Sequence, residues 1–138
     1  GFVKGSATHI PFVSESFDIV TSMWVMGHVG DGRYGDEFYT NGDLIMLNEI
    51  ARVLKPGGKA IIGPGLVDDK PAMIFNMHRI YSWPWLEAQF TECGFDVTDR
   101  RNLPVRAEMF MDPTWTPCDE ILFHRQEGHY GVATLLKR

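Results

Sequence analysis

The order of apolar and polar positions predicts a helix that leads directly into a buried strand. Between residues 42 and 55, apolar side chains recur at intervals of three and four, the period of a helix with one buried face: Leu47, Ile50, Ala51 and Leu54. Pro56 cannot continue this helix, and the two glycines after it allow a tight reversal. We therefore predict a helix from Gly42 to Lys55 and a strand over Lys59–Gly63, covered on both faces.

A second strand is predicted upstream, where β-branched and aromatic residues fill Phe17–Met23. The order strand, helix, strand implies a right-handed crossover and parallel pairing of the two strands. The spacing of Thr40 and Asp43 predicts a capping box at the start of the helix. Open α/β sheets bind ligands at the carboxyl ends of their strands, so the residues after Met23 are candidates for a site.

The last third of the chain predicts one more helix and three strands. Ser82–Cys93 has a possible cap at Ser82, a stripe of Leu86, Phe90 and Cys93, and a glycine after its end. Phe95–Thr98 alternates like a strand with one buried face. The final strands are predicted at Glu120–His124 and Val132–Leu136, antiparallel across a turn at Glu127–Gly131.

Four short motifs in this order resemble the second half of a class I methyltransferase that depends on S-adenosylmethionine (SAM): Ile10–Phe12, Ser16–Val20, His28–Val29 and Glu49–Gly58. A closer resemblance, over Gly27–Tyr81, is to a methyltransferase-like family of unassigned function. The resemblance implies one domain with a three-layer, Rossmann-like α/β fold over residues 1–138. Its sheet would be mostly parallel, with antiparallel C-terminal strands.

The resemblance also implies which residues would meet the cofactor. In this fold an acidic residue in the turn after the third strand faces the adenine of SAM, and here that position is Ser6, followed by Ala7. The methionine part of SAM and the substrate would meet at Ser22 and Met23. A serine hydroxyl can donate or accept a hydrogen bond but brings no charge. The alternative is that Ser6 belongs to an ordinary loop.

Two polar segments follow the carboxyl ends of predicted strands and are expected to meet. Val25–Thr40 is rich in glycine and polar residues, and Ala72–Tyr81 follows the next strand. The resemblance favours His28 or His78 as a proton acceptor, with Asp36 as a further candidate. The substrate-binding candidates are Arg33, Tyr34, Asp36, Arg79 and Tyr81. The alternative is a loop held together by its own Arg–Asp pairs, with structural histidines.

The usual glycine-rich SAM loop is missing, since no G-x-G motif precedes Phe17. The chain is then either a piece of a longer protein or a short form, and alone it should bind SAM weakly or not at all and be inactive. Two functions stay open. One is methyl transfer to a small polar or sugar-like substrate. The other is a non-catalytic methyltransferase-like domain used for binding or assembly.

The composition and net charge restrict the classes of partner and the cellular compartment that we expect. The 138 residues carry a net charge of −5 and no basic block, which argues against nucleic acid. No apolar run approaches the roughly 20 residues that span a bilayer. Cys93 and Cys118 are far apart and form no disulfide framework or zinc signature, so a reducing cytoplasm is the default.

A homodimer is also predicted. If no strand precedes Phe17–Met23, this apolar strand becomes an exposed sheet edge that can pair with a second copy. The alternative is that Gly1–Val13 or Leu103–Pro117 covers the edge.

Overall fold

The computed structural model describes residues 1–32, 34–74, 78–104 and 129–138. Its elements in chain order are β1 (Phe17–Met23), a short 3-10 helix (Met26–His28), α1 (Gly42–Val53), β2 (Leu54–Val67), β3 (Ala72–Ile74), β4 (His78–Ile80), α2 (Trp83–Glu92), β5 (Phe95–Pro104) and β6 (His129–Lys137). None of the helices in this part of the chain is long and apolar enough to cross a membrane.

Four strands form a mixed sheet in the order β1-β2-β6-β5. Strand β1 is parallel to β2, while β6 is antiparallel to both β2 and β5. Three strands therefore run in one direction and the C-terminal strand runs against them. This is the Rossmann-like α/β sheet that the sequence predicted. Strands β3 and β4 pair separately as a small antiparallel sheet.

Helix α1 ends at Val53, two residues earlier than predicted, because Leu54 is extended and pairs with Phe17 on β1. The predicted capping box is wrong. Asn41 occupies the cap position without a side-chain hydrogen bond. The Asp43 carboxylate accepts a hydrogen bond from the Tyr81 hydroxyl. Gly57 has the predicted positive φ, 73°, but it lies inside β2, where the register with β1 shifts, and the strand begins at Leu54 and not at Lys59.

The second helix and the last strands differ from the prediction mainly in their bounds. Ser82 caps α2 by position but makes no side-chain hydrogen bond. Strand β5 continues beyond Thr98 to Pro104, because its ladder with β6 continues through exposed polar residues. Strand β6 begins at His129, so the turn predicted at Glu127–Gly131 is wrong in its last three residues. The strand predicted at Glu120–His124 lies outside the described residues, as does Cys118.

One hydrophobic core joins both helices to the sheet. Leu47 and Ile50 of α1 and Leu86 and Phe90 of α2 are almost fully buried, as their spacing predicts. The matching sheet residues are Ala60, Ile62, Phe95, Ala133 and Leu135. Burying a large aliphatic or aromatic side chain contributes about 1.5–3 kcal/mol. This cluster therefore holds the helices against the sheet whose edge carries the polar segments.

Helix α1 also holds the N-terminal segment, through Glu49 and Arg52. The Glu49 carboxylate accepts hydrogen bonds from the Ile10 backbone N–H and from Arg52 Nε, both at 2.7 Å. Arg52 donates in turn to the carbonyl oxygens of Ile10 and Phe12. The hydrogen bond from Arg52 is the main cause that lowers the pKa of Glu49 from 4.5 to about 2.

Stability should therefore depend on the Glu49 charge. Because its pKa is lower in the folded state, the stabilisation is present above pH 4.5 and is lost as the pH falls toward about 2. We expect Glu49→Gln to lower the free energy of unfolding by about 1–3 kcal/mol at neutral pH, after allowance for solvent screening, and by much less near pH 2. Urea unfolding at both pH values measures this. The exposed Glu92→Gln is the control, and an equal loss for Glu49→Gln at both pH values would contradict the account.

Strand β1 lies at one edge of the sheet, and no other described strand pairs with its outer side. Ile19 and Met23 leave 59% and 42% of their surface exposed. Pairing with a second copy stays a prediction, which light scattering at micromolar concentration tests by the mass of a dimer. We expect Ile19→Lys to give monomers and Leu103→Lys, on the opposite edge strand, to leave the dimer intact. A wild-type monomer with protected β1 amides would refute it.

Candidate active site

The carboxyl edge of the sheet begins where β1 ends. Trp24 follows Met23 and donates its backbone N–H to the Gly63 carbonyl of β2 at 2.7 Å. The chain then enters the short 3-10 helix and the glycine-rich loop. Strand β6 starts at the same edge, where Tyr130 lies opposite Leu66 of β2 and Leu103 of β5.

The two polar segments meet at this edge, as predicted. The imidazole rings of His28 and His78 are 5.6 Å apart between centroids and meet edge to face at 80°. The Tyr34 ring lies 5.9 Å from His28 on the loop side and is largely exposed. Arg33 lies outside the described residues, so its predicted place on the same side of the sheet as His78 stays a prediction.

A buried carboxylate lies behind His28. His28 Nδ1 is 3.6 Å from Asp31 Oδ2, and the Asp31 side chain is almost completely buried. This separation is longer than a hydrogen bond, so Asp31 acts on the imidazole as a nearby negative charge. The His28 side chain itself keeps 24% of its surface exposed. Histidine, carboxylate and partial exposure together suit a general base.

Arg79, Asp43 and Tyr81 form a buried network beneath the loop. Arg79 Nη1 donates to the Val29 carbonyl at 2.8 Å and Nη2 to the Tyr39 carbonyl at 2.9 Å. Arg79 Nε is 3.7 Å from Asp43 Oδ2, which also accepts a hydrogen bond from the Tyr81 hydroxyl at 3.0 Å. Burial is the first cause that raises the pKa of Tyr81 and the Asp43 charge is the second, so the phenol stays protonated and donates.

This network ties both ends of the loop to strand β4. Arg79 and Tyr81 are only 6% and 3% exposed. Their polar atoms are engaged with the loop and with α1, an arrangement that favours positioning over the direct substrate contact predicted for them. The guanidinium group of Arg79 donates to two backbone carbonyls, and the two hydrogen bonds together fix the plane of the group, so that it holds the loop rigidly.

The loop packs against α1 with no space for side chains at two glycines. Gly30 has a φ of 73°, and a Cβ there would lie 2.9 Å from Tyr39 Cβ. A Cβ on Gly42 would lie 2.5 Å from the Val29 carbonyl oxygen. Asp36 Oδ2 accepts the Gly30 N–H at 2.8 Å and so helps to hold the loop. The Arg–Asp pairs of the alternative involve Arg33, which lies outside the described residues, so that alternative stays open.

The predicted cofactor residues lie on two segments. The Ser6 hydroxyl is exposed in the N-terminal turn, 2.8 Å from the Thr8 hydroxyl, and Ala7 packs against the core. Ser22 and Met23 lie at the carboxyl end of β1. Ser22 Oγ is buried and has no hydrogen-bond partner among the described residues. A buried hydroxyl without a partner is costly, so this atom fits a ligand that offers one.

Two features escaped the sequence interpretation. Asp43 was assigned to a local capping box because the spacing T-x-x-D is common at helix starts. Its carboxylate accepts the adjacent Leu44 N–H, but its long-range partners are Tyr81 and Arg79. The aromatic pair of Trp24 and Tyr130, with ring centroids 5.3 Å apart, joins residues from opposite ends of the chain. The one local signal was a tryptophan directly after a strand.

Solved structures share this architecture over nearly the whole chain. The match to the (4+2) cyclase SpnF covers 99% of this chain and 55% of the SpnF chain, with a TM-score of 0.67 and 21% identity. A Burkholderia thailandensis 1,6-didemethyltoxoflavin-N1-methyltransferase, solved with S-adenosylhomocysteine, matches 99% and 50%, with a TM-score of 0.68 and 18% identity. YcgJ from Bacillus subtilis matches 97% and 69%, with a TM-score of 0.65 and 20% identity. The chain thus has a methyltransferase-like fold and spans about half of the first two structures.

Sequence comparison gives a shorter match to a curated protein and a longer one to a family. Demethylmenaquinone methyltransferase from Clavibacter sepedonicus is 39% identical over 61 residues, which are 44% of this chain and 20% of that protein. The family model described as Caenorhabditis protein of unknown function, DUF268, matches residues 5–101. That range includes β1, the glycine-rich loop, both helices and the β3–β4 sheet. The chain therefore belongs to the DUF268 family.

Proposed function

We propose that this chain is the substrate-side part of a SAM-dependent methyltransferase. The observation that carries the proposal is the convergence of His28, backed by Asp31, with His78 at the carboxyl edge of a methyltransferase-like sheet. Fold alone does not give function, but a histidine–carboxylate pair at the ligand-binding edge of this fold supplies the group that methyl transfer to an N–H or O–H requires.

When bound, SAM supplies a methyl group on a positively charged sulfur. The chain's own residues would align the acceptor and remove its proton as the new bond forms. The His28 imidazole takes that proton, and the negative charge of Asp31, 3.6 Å from Nδ1, stabilises the imidazolium. His78 lies edge-on beside His28 and limits the orientations of its ring. Arg79 and Asp43 keep the loop, and with it His28, in place.

The acceptor proposed for this edge is a small polar or sugar-like molecule. His28, His78 and the exposed Tyr34 offer hydrogen-bonding groups near one another. A site that hydrogen-bonds substrate hydroxyls rejects analogues that lack them, because its own polar groups would then stay unpaired.

Ser22 tests the cofactor assignment without reference to the acceptor. Because Ser22 Oγ is buried without a described partner, Ser22→Ala should leave the free energy of unfolding unchanged or slightly higher. The same change should weaken binding of S-adenosylhomocysteine by about three- to tenfold, the worth of one neutral hydrogen bond. Thr21→Ala, on the exposed side of the same strand, is the control. A stability loss above about 1 kcal/mol would show that the hydroxyl has an internal role instead.

Label transfer tests the activity itself. The full-length protein is incubated with methyl-labelled SAM and a panel of amines, phenols, carboxylic acids and glycosides, and methylated products are identified by mass. We expect label on at least one hydroxyl- or amine-bearing acceptor. Tight SAM binding by the full-length protein with no label on any class would favour the non-catalytic alternative.

A further inference from the structure

Trp24, the first residue after β1, has a backbone conformation that bulky residues rarely adopt. Its φ is 58°, in the left-handed region, where a Cβ crowds the neighbouring carbonyl. Its N–H still donates to Gly63, so the β1–β2 ladder continues through this residue. Strain of this kind concentrates at ligand sites, where surrounding structure holds a side chain in a required direction.

The Trp24 side chain is half exposed and lies beside a second aromatic ring. It keeps 44% of its surface accessible, and its ring centroid is 5.3 Å from that of Tyr130 at an angle of 48°. Tyr130 is fixed by β6 between Leu66 and Leu103. Two aromatic rings therefore lie together at the carboxyl edge, directly after Ser22 and Met23.

Aromatic faces attract cations, tryptophan most strongly, and pairs of rings recognise small onium groups. SAM carries such a group, a positively charged sulfonium, whereas its product S-adenosylhomocysteine has a neutral sulfur. We propose that Trp24, with Tyr130 beside it, binds the sulfonium of SAM and so distinguishes the charged cofactor from the neutral product. This inference rests on the proposed function, since it concerns the same carboxyl edge. It gives the aromatic pair a role in product release, because the ring loses its cationic partner once the methyl group leaves.

Binding titrations followed by NMR test the inference without any turnover. SAM and S-adenosylhomocysteine are titrated separately into the wild-type chain and into Trp24→Leu and Trp24→Phe. We expect the wild type to bind SAM about two- to fivefold more tightly than the product, the range of an exposed cation–π contact. This ratio should fall to about one in Trp24→Leu and be largely retained in Trp24→Phe. The control is Trp85→Leu, which removes another exposed tryptophan, stacked on Tyr81 at 5.4 Å.

A second probe separates the inference from the proposed function. Trimethylsulfonium carries the cation without the rest of SAM, and it should shift the Trp24 indole N–H resonance. Binding of both cofactors with a ratio that Trp24→Leu does not change would overturn the inference and leave the proposed function intact. A trimethylsulfonium shift at Trp24 without binding of either cofactor to the full-length protein would support the cation site and contradict the proposed function. No shift at Trp24 with either cation would overturn the inference, and this readout needs no variant to fold.

Discussion

Arg79→Met is expected to lower the free energy of unfolding by about 3–5 kcal/mol, the usual cost of leaving one member of a buried ion pair without its partner. The Asp43 carboxylate would keep its hydrogen bond from Tyr81 but lose the adjacent positive charge. The carbonyls of Val29 and Tyr39 would each lose the hydrogen bond from Arg79 at the same time, and Tyr39 would keep the one from the Gly42 N–H. Urea unfolding measures the loss, and hydrogen exchange should show the largest increase in the loop between His28 and Thr40.

A double-mutant cycle separates the ion pair from the loop anchor. Asp43→Asn alone removes the carboxylate charge, and Arg79→Met with Asp43→Asn should cost less than the sum of the single changes. Arg100→Met is the matched control, because the pair of Arg100 with Glu87 is half exposed and should be worth below about 1 kcal/mol. A loss for Arg79→Met as small as that of the control would mean that the network does not hold the loop.

His28→Gln is expected to lower the rate of methyl transfer by about 10²–10⁴-fold in the full-length protein, the usual contribution of a general base. Glutamine can fill the position but cannot accept the proton, so kcat should fall while KM changes little. His78→Gln should have a smaller effect on kcat, because His78 is proposed to orient His28. Steady-state kinetics with labelled SAM and an acceptor from the panel measures both.

The split between kcat and KM distinguishes the roles of the two histidines. A loss of kcat in His78→Gln, with a normal kcat in His28→Gln, would make His78 the general base and His28 the residue that orients it. A rise in KM alone for both variants would make them substrate-binding residues, with the base elsewhere. His9→Gln, in the exposed N-terminal turn, is the control for replacing a histidine.

The sequence predicted the bounds of an element best where those bounds depend on neighbouring residues and not on tertiary contacts. The bounds of β1 were correct because a run of β-branched and aromatic residues has few alternatives to a strand. The end of α1 was missed because Leu54, apolar and in register with the helix, is drawn into the pair with Phe17. Strand pairing thus ended the helix at a residue where the apolar spacing of the sequence still predicted helix.

The sequence predicted where the polar segments meet, whereas the roles of the individual residues stay predictions. Polar residues after two parallel strands indicated that His28 and His78 would meet, since the carboxyl ends of parallel strands share an edge. Burial is not visible in a polar sequence, so Arg79 and Tyr81 were taken for substrate contacts, although the structure encloses them. The left-handed backbone of Trp24 had no signal either, because bulky residues adopt it only when tertiary structure imposes it.

If the carboxyl edge of this sheet is the ligand site of a methyltransferase, S-adenosylhomocysteine should bind there, and a map of NMR chemical-shift changes measures this. We expect weak binding by this chain, with a Kd of roughly a millimolar, about −4 kcal/mol. We also expect that the largest shifts fall on Ser22, Met23 and Trp24, with smaller ones at His28. Shifts concentrated on α2 and β5 would contradict the proposed site.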